Sequence, residues 1–315
     1  MTAVAPAIET RQLHRAFGNV EALAPLDLVI PRGAIFALVG HNGAGKTTLI
    51  KLLLNMIRPT SGSAITLGQS ATTLTGNSFQ HIGYVSENQE MPEWMTVQEL
   101  MNYLHPFYPT WDETNLLANL ELPPDRKIKH LSRGMRMKLA LATVLAFRPS
   151  LIVMDEPFSG LDPLVRDQLI ESLLDSLHSD QGPANDSGAT ILISSHDLAE
   201  VESFATHVAF MHEGKLLFAE PMETLTARFR EVTVTLTPDE TPSQVSPNVP
   251  ASWLLPESTN AFFRFIYTEG DAKSLEGEVR KALPNAANIQ SEPMTLRTIF
   301  LALVKSSRMQ NRRHS

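Results

Sequence analysis

The stretch ALVGHNGAGKTTLI, from Ala37 to Ile50, places three glycines, a lysine and two threonines directly after an apolar run. Glycines interrupt a buried strand where the backbone has to turn sharply or approach another group closely. The order Gly40-x-x-x-x-Gly45-Lys46-Thr47 matches the loop that binds the phosphates of a nucleoside triphosphate, in the required context between a strand and a helix. The sequence therefore predicts a strand, a phosphate-binding loop and a helix in succession.

In such a loop, successive backbone N–H groups and the start of the following helix face the phosphates. Lys46 is predicted to bridge the β- and γ-phosphates, and the Thr47 hydroxyl to ligate Mg²⁺. A dinucleotide site is disfavoured because Gly40, Gly43 and Gly45 do not fit G-x-G-x-x-G. A glycine-rich turn that only closes a strand–helix unit is disfavoured by the complete motif. The loop residues predicted to bind ATP are Gly40, His41, Asn42, Gly43, Ala44, Gly45, Lys46, Thr47 and Thr48.

Three continuous apolar runs predict strands that are buried on both faces of a parallel sheet. They are AIFALVG, SLIVMDE and ATILISS. Helical spacing of apolar residues lies between and around these runs, so the sequence predicts an α/β core with a parallel sheet. The positions that carry the helical spacing are Leu49, Leu52, Leu53 and Met56, then Leu139, Leu141, Val144 and Leu145, then Leu164, Leu169, Leu173 and Leu174.

The composition changes near Glu231, which predicts a first domain over 1–230 and a small α+β domain over 231–315. EVTVTLTP and AFFRFIYTEG alternate like half-exposed strands, whereas DAKSLEGEVRKAL and MTLRTIFLALV have amphipathic helical patterns. The polar segment Ser179–Ala189 is predicted to be a surface loop.

Composition and charge exclude several kinds of function. The chain has 315 residues, 43% of them hydrophobic and 19% charged, as expected for a soluble globular protein. Its longest apolar run, Leu139–Phe147, is about half the length of a membrane-spanning helix, so a role at a membrane is expected to be peripheral. The N-terminus has no pattern of a secretion signal, which predicts a cytoplasmic location. The net charge of −8 argues against nucleic acid as a partner.

Two carboxylates follow the buried run in LIVMDEP. At the end of a buried strand, Asp155 can reach Mg²⁺ through water, and Glu156 can polarise a water for attack on the γ-phosphate. A second motif, LSRGM, opens a predicted helix with Ser132 at its N-cap. The sequence therefore predicts ATP and Mg²⁺ as cofactors and Glu156 as the catalytic carboxylate.

Together these motifs resemble the ATP-binding subunit of the ABC transporter family over roughly residues 8–220. The resemblance implies a P-loop NTPase core with an N-terminal antiparallel β part and a helical subdomain over about 88–148. LSRGM corresponds to the family's signature L-S-G-G-Q, and it keeps Ser132 and Gly134. Arg133 and Met135 replace a glycine and the glutamine, so the resemblance assigns no phosphate contact to those two positions.

The resemblance also implies roles for residues outside these motifs. Asp162 of SGLD lies in the family's D-loop, and His196 of SSHD takes the place of the switch histidine that touches the γ-phosphate. Phe17 is expected to stack on adenine, with burial in the core as the alternative. Glu87 of IGYVSENQE stands where the family's Q-loop has a glutamine, and it is expected to lie near Mg²⁺ or the attacking water.

The resemblance further implies that the signature of one chain completes the ATP site of a second copy, so that two chains enclose two ATP molecules. A separate polytopic membrane subunit is the expected partner at the cytoplasmic face, as in bacterial type-2 exporters. The aromatic-rich segment MPEWMTVQELMNYLHPFYPTWDE is the expected contact, although about half of its aromatics also fit the core of a helical subdomain. The alternatives are a non-transport ABC ATPase acting on ribosomes or DNA, and a regulatory ATP-driven switch on a soluble partner.

Overall fold

The computed structural model describes residues 5–178, 188–236, 249–250, 252–259, 262–269, 272–284 and 286–313. The chain divides into two compact units, residues 1–219 and 220–315, and this division precedes the predicted domain boundary at residue 230. The predicted surface loop Ser179–Ala189 falls outside the described residues as far as residue 187.

The elements follow one another along the chain in mixed β and α order. The strands are β1 (Ile8–Phe17), β2 (Val20–Ile30), β3 (Ile35–Val39), β4 (Ser61–Thr66), β5 (Gln69–Ser70), β6 (Ile82–Ser86), β7 (Leu151–Asp155), β8 (Thr190–Ser195), β9 (His207–His212), β10 (Lys215–Pro221), β11 (Arg230–Leu236), β12 (Trp253–Ser258), β13 (Phe262–Tyr267) and β14 (Ala286–Pro293). The helices are α1 (Lys46–Leu53), α2 (Gly76–Phe79), α3 (Val97–Leu104), α4 (Leu116–Asn119), α5 (Arg133–Leu145), α6 (Pro163–His178), α7 (Met222–Arg228), α8 (Ala272–Ala282) and α9 (Leu296–Arg313).

The centre of the first unit is a six-stranded sheet with the order β10-β9-β3-β8-β7-β6. Neighbouring strands from β9 to β6 pair in parallel, and the three predicted core strands, β3, β7 and β8, are buried along their whole length. Because parallel strands end at the same edge, the residues that follow β3, β7 and β8 come together there.

A second sheet, with the order β2-β1-β4-β5, forms the N-terminal antiparallel part that the resemblance implied. Helix α1 contacts β2 and β4 of this sheet and β7 of the central sheet. Its buried face, which includes Leu49, Leu52 and Leu53, belongs to one hydrophobic core with residues of both sheets. Burial on two sides fixes the start of α1, and therefore the phosphate-binding loop before it.

Helices α3 to α5 lie within the predicted helical subdomain. The N-cap of α5 is Ser132, as predicted, and its hydroxyl accepts a hydrogen bond from the Met135 N–H at 3.2 Å. Helix α6 confirms the predicted helical spacing, but Leu164 in its first turn is 67% exposed rather than in the core. No helix in the described part of the chain is long and apolar enough to cross a bilayer.

The second unit contains an antiparallel sheet with the order β12-β13-β11-β14. Aromatic residues of β12 and β13 form its core, where Trp253 and Phe265 stack with ring centroids 3.7 Å apart. Leu275 and Val279 on one face of α8 join this core. The unit therefore has α+β composition, and two of its strands, β12 and β14, were absent from the sequence prediction.

Candidate nucleotide-binding site

The loop between β3 and α1 has a shape that side chains would disrupt. A Cβ at Gly40 would lie 2.4 Å from the Met211 carbonyl oxygen, so the back of the loop packs against β9 backbone. Gly43 and Gly45 have φ angles of 82° and 101°, which L-residues rarely adopt. A Cβ at Gly43 would meet nothing within 4 Å, so the front of the loop is open. This arrangement provides the concave backbone surface that a chain of phosphates needs.

Lys46 lies inside the loop and is 5% exposed. Its Nζ donates to the Gly40 carbonyl oxygen at 2.5 Å and to the His41 carbonyl oxygen at 3.3 Å. The same Nζ is 3.0 Å from Glu156 Oε1, an ion pair between two largely buried side chains. The cation predicted to neutralise phosphates is thus held at the loop by the carboxylate predicted to act in hydrolysis.

The pair predicted to hold Mg²⁺ is brought together across 108 residues of sequence. Thr47 Oγ1 donates to Asp155 Oδ1 at 3.2 Å, and Ser194 Oγ donates to the same carboxylate oxygen at 2.7 Å. Asp155 is 7% exposed. Hydroxyl and carboxylate oxygens beside a phosphate-binding loop are ligands that Mg²⁺ prefers, so the donor set fits that ion.

Glu156 and His196 form the second part of the site. Glu156 has a φ of 52°, an unfavourable conformation for this residue, and its N–H donates to Ser194 Oγ at 2.9 Å. Its Oε2 is 2.7 Å from His196 Nδ1 and accepts the His196 backbone N–H at 3.2 Å. These contacts hold the carboxylate in place at the ends of β7 and β8.

The two side chains shift each other's proton affinity. Burial raises the pKa of Glu156, but hydrogen bonds and charge from His196 and Lys46 outweigh it and bring that pKa below its usual value. The hydrogen bond to Glu156 raises the pKa of His196 above its usual value, despite partial burial. Glu156 is therefore ionised at neutral pH and able to accept a proton.

An open cleft of about 670 Å³ lies in front of these groups. Its lining includes most of the predicted loop residues together with Glu87 and Glu156, but not Gly40, His41, Asp155 or His196. The residues that line it are Val20, Glu21, Ala22, Asn42, Gly43, Ala44, Gly45, Lys46, Thr47, Thr48, Glu87, Glu156, Glu213 and Gly214.

Phe17 is 46% exposed, so it is not a core residue, which was the alternative to adenine stacking. The Arg15 guanidinium carbon lies 4.3 Å from the centre of its ring, and Arg15 Nη1 donates to the Arg58 carbonyl oxygen at 2.9 Å. A cation over one face of the ring leaves the rest of the aromatic surface available to a base.

The signature residues do not line this cleft in their own chain. Ser132 is exposed, whereas Gly134 is buried and a Cβ there would lie 3.0 Å from Val165 Cγ1 of α6. Asp162 is exposed and caps α6, where its Oδ1 accepts the Leu164 N–H at 2.9 Å. Within one chain, these three predicted ATP-binding residues are local caps and packing positions.

Glu87 follows β6, and its N–H donates to the Asp155 carbonyl oxygen at 3.0 Å. Its carboxylate lines the cleft, but its hydrogen bond is to Arg133 of the signature, with Arg133 Nη2 2.6 Å from Oε1. The two departures from the family pattern, Glu87 and Arg133, therefore contact each other, a pairing that the sequence did not predict.

Sequence reasoning also missed several residues of the site. Ser194 links Asp155 to the Glu156 backbone, and its place in SSHD next to a strand end was the available signal. His212 Nδ1 is 3.0 Å from His41 Nε2, a contact across 171 residues for which the sequence gave no signal. Glu213 and Gly214, which follow β9, line the cleft.

Comparison with known proteins supports the same reading. A family model described as "ABC transporter" matches residues 23–159. The uncharacterized ABC transporter ATP-binding protein YcbN of Bacillus subtilis (strain 168) is 31% identical over 240 residues, which cover 74% of this chain and 76% of YcbN. The chain belongs to the ABC transporter family. As an ABC ATPase, it is the type of subunit that binds and hydrolyses ATP.

Two further likenesses of this ABC ATPase are to a transport protein and to a solved structure. The bacitracin transport ATP-binding protein BcrA of Bacillus licheniformis is 33% identical over 230 residues, 71% of this chain and 72% of BcrA. A solved structure titled "Structure of ATP binding subunit of ABC transporter" superposes with a TM-score of 0.62 at 26% identity, over 70% of this chain and 91% of that one. The fold predicted for the first unit is thereby confirmed.

Proposed function

We propose that this ABC ATPase powers an exporter: its site binds MgATP, two copies close on two nucleotides, and a separate polytopic membrane protein uses the closure for transport. The observation that carries the proposal is the contact of Lys46 and His196 with the same carboxylate, Glu156, at one end of the phosphate-binding loop. The similar BcrA is a bacitracin transport ATP-binding protein, which supports a role in transport.

The resident residues divide the work of hydrolysis. When ATP binds, Lys46 gives up its contacts with the backbone carbonyl oxygens and with Glu156 and contacts the phosphates instead. The Glu156 carboxylate is then free to contact the attacking water. Glu156 accepts the proton of that water, and His196 keeps the carboxylate oriented through the 2.7 Å contact. Thr47 and Asp155 are the residues that would hold Mg²⁺, and the bound ion would supply positive charge beside the phosphates.

The second copy is required because the signature lies outside the cleft of its own chain. The Ser132 hydroxyl and the N-terminus of the 13-residue helix α5 offer hydrogen-bond donors and a partial positive charge to an anion. We infer that they meet the γ-phosphate bound by the second chain. The exposed Leu164 and Asp162 beside the signature are consistent with a surface that a second chain covers.

The membrane subunit is proposed to bind the helical subdomain. Trp94, Tyr103 and Phe107 are 72%, 54% and 57% exposed, and the last two rings contact each other edge to face at 5.6 Å. Large aromatic side chains that are exposed in a free subunit are typical of protein interfaces. Tyr108 instead stacks on Phe147 at 4.0 Å inside the subdomain, so the aromatics of this segment divide between surface and core.

Mixing two inactive variants tests the shared site. Ser132→Arg places a long side chain where the second chain's γ-phosphate would lie, so we expect near-normal ATP binding but no dimer and no hydrolysis. Lys46→Ala removes the loop cation and is also expected to be inactive. A mixed dimer keeps one intact site, formed by the loop of the Ser132→Arg chain and the signature of the Lys46→Ala chain.

We expect the mixture to regain part of the wild-type phosphate release, whereas each variant alone stays inactive. Arg136→Ala, one turn further along α5, is the control and should hydrolyse ATP normally by itself. Normal hydrolysis by Ser132→Arg would contradict the signature assignment. Co-purification with a polytopic membrane protein tests transport, and recovery of ribosomal RNA or a soluble kinase in its place would favour a non-transport ABC ATPase.

A further inference from the structure

The sequence departs from the family pattern at two positions, one in the Q-loop and one in the signature, and the side chains at these positions contact each other. Glu87 stands at the position of the Q-loop glutamine, and Arg133 stands at the first glycine of the signature. Although 46 residues separate them, Arg133 Nη2 donates to Glu87 Oε1 at 2.6 Å. The extra negative charge of one departure is matched by the extra positive charge of the other.

The same arginine also contacts the D-loop. Arg133 Nη2 donates to the Ser159 carbonyl oxygen at 2.7 Å. Its Nη1 lies 3.0 Å from the position that a Cβ on Gly160 would occupy, and Gly160 has a φ of 65°. One guanidinium therefore joins the strand end after β6, the start of α5 and the segment after β7.

The cleft gives this pair an electrostatic role. Four carboxylates line it, from Glu21, Glu87, Glu156 and Glu213, and among its described lining residues Lys46 carries the positive charge. Lys46 is already paired with Glu156. Without a partner, the negative charge of Glu87 would repel the phosphates of ATP bound in this cleft.

Stability alone does not explain the pair. The Arg133 and Glu87 side chains are 53% and 33% exposed, and ion pairs at such positions add little to folding because water screens them. The position of Glu87 at the cleft gives the pair an effect on the nucleotide that a surface ion pair elsewhere lacks.

We propose that Arg133 is a positioning residue for the nucleotide site of its own chain, acting through Glu87. Its guanidinium neutralises the Glu87 carboxylate and holds it towards the signature and the D-loop, so that the triphosphate enters beside Lys46 without repulsion. The inference rests on the proposed nucleotide site. Because Arg133 follows Ser132, the pair also connects the bound nucleotide of one chain to the signature that serves the other.

A double-mutant cycle on the full chain tests the proposal. We would measure the ATP dissociation constant of wild type, Arg133→Ala, Glu87→Gln and the double variant by equilibrium dialysis in EDTA, so that no metal ion can neutralise a freed carboxylate. We expect Arg133→Ala to bind ATP about tenfold more weakly, because Glu87 is left unneutralised. In the Glu87→Gln background, where the repelling carboxylate is absent, Arg133→Ala should have no further effect on the dissociation constant.

Arg133→Lys keeps the charge and should restore binding to within about twofold of wild type, and added salt should reduce the defect of Arg133→Ala. The ion pair of Arg136 and Glu93, with a distance of 2.8 Å, is a matched control. Arg136 lies on the same helix as Arg133, and neither Arg136 nor Glu93 lines the cleft. Arg136→Ala and Glu93→Gln should leave the ATP dissociation constant unchanged. Melting temperatures of all variants check that each is folded.

The inference is overturned if Arg133→Ala binds ATP like wild type, or if its defect persists in the Glu87→Gln background. A defect of equal size in Arg136→Ala would also overturn it, because any loss of charge on α5 would then suffice. These results would leave the proposed function intact as long as the wild-type chain binds ATP. A wild-type chain that binds no ATP would contradict the proposed function itself.

Discussion

The proposed ATP site has two halves: the loop half, around Lys46 and Glu156, and the signature half, around Ser132 and Asp162. They differ in how much of their hydrogen bonding is complete within one chain. In the loop half, Lys46 and His196 both contact Glu156, and Lys46 and Glu156 are largely buried. In the signature half, Ser132 and Asp162 are exposed, and their side chains accept backbone N–H groups at helix starts. From this difference we expect a single chain to bind nucleotide and hydrolysis to require a second one.

The largest effect is expected when the carboxylate of the loop half, Glu156, is replaced. We expect Glu156→Gln to lower ATP hydrolysis by about 100- to 10,000-fold, because an amide keeps the shape but cannot accept the proton of the attacking water. ATP binding should be retained or slightly tighter, since Lys46 loses a competing anion. Phosphate release, ATP affinity and the accumulation of an ATP-bound dimer on a sizing column measure this.

Glu93→Gln, which neutralises an exposed carboxylate of the helical subdomain outside the cleft lining, is the control and should hydrolyse ATP at the wild-type rate. Hydrolysis by Glu156→Gln at a rate near wild type would remove Glu156 from the catalytic role. It would also remove the distinction between a half that acts chemically and a half that completes the site.

The second prediction tests whether the loop half binds ATP by itself. Lys46→Ala should weaken ATP binding by about 10- to 100-fold, the size expected for lost hydrogen bonds between a cation and anionic oxygens. Lys51→Ala, on the exposed face of the same helix, should leave affinity unchanged. Calorimetric titration of ATP measures both, and unchanged affinity in Lys46→Ala would contradict the phosphate-binding assignment.

A smaller effect is expected at Phe17, the residue predicted to stack on adenine. Phe17→Ala should weaken ATP binding by about threefold to tenfold, the range expected when one aromatic stacking contact is lost. Inorganic tripolyphosphate, which has no base, should bind wild type and variant equally. Phe17→Tyr keeps the ring and should bind ATP normally. An equal loss for ATP and tripolyphosphate would mean that Phe17 supports the loop rather than the adenine.

The smallest effect concerns the charge pair of His196 and Glu156. The pKa of Glu156 lies below its ordinary value of 4.5, so its contribution to stability is lost as pH falls through that lowered pKa. The pKa of His196 lies above its ordinary value of 6.5, so its contribution is complete below pH 6.5 and is lost as pH rises through the raised pKa. The pair therefore stabilises the fold most between pH 4.5 and 6.5.

We expect His196→Ala to lower the melting temperature by at most about 3 °C at pH 5.5, because the histidine side chain is 42% exposed and its ion pair is partly screened. The difference from wild type should shrink towards pH 9. His207→Ala is a control with the opposite sign: burial lowers the pKa of that histidine, so its difference from wild type should not grow towards acid pH. A difference for His196→Ala that grows with pH would contradict the charge pair.

The accuracy of the sequence prediction followed the strength of each local signal. The strands β3, β7 and β8 were predicted because they are buried on both faces and therefore apolar throughout. Strand β14 was missed because most of its residues are half-buried or exposed, which leaves no apolar alternation to detect. Its place in the sheet comes from antiparallel pairing with β11 along its length.

The sequence by itself determined the strand, glycine-rich loop and helix around Lys46, and it predicted the catalytic carboxylate and the signature, because each is a short contiguous motif whose requirements concern neighbouring residues. Tertiary structure alone decided which distant groups meet at the edge of the sheet. Ser194 joins Asp155 to the Glu156 backbone, and Arg133 pairs with Glu87, because parallel strands and the start of α5 bring these segments together. Hydrogen bonds and charge pairs act over a few ångströms of space, whatever the separation along the chain.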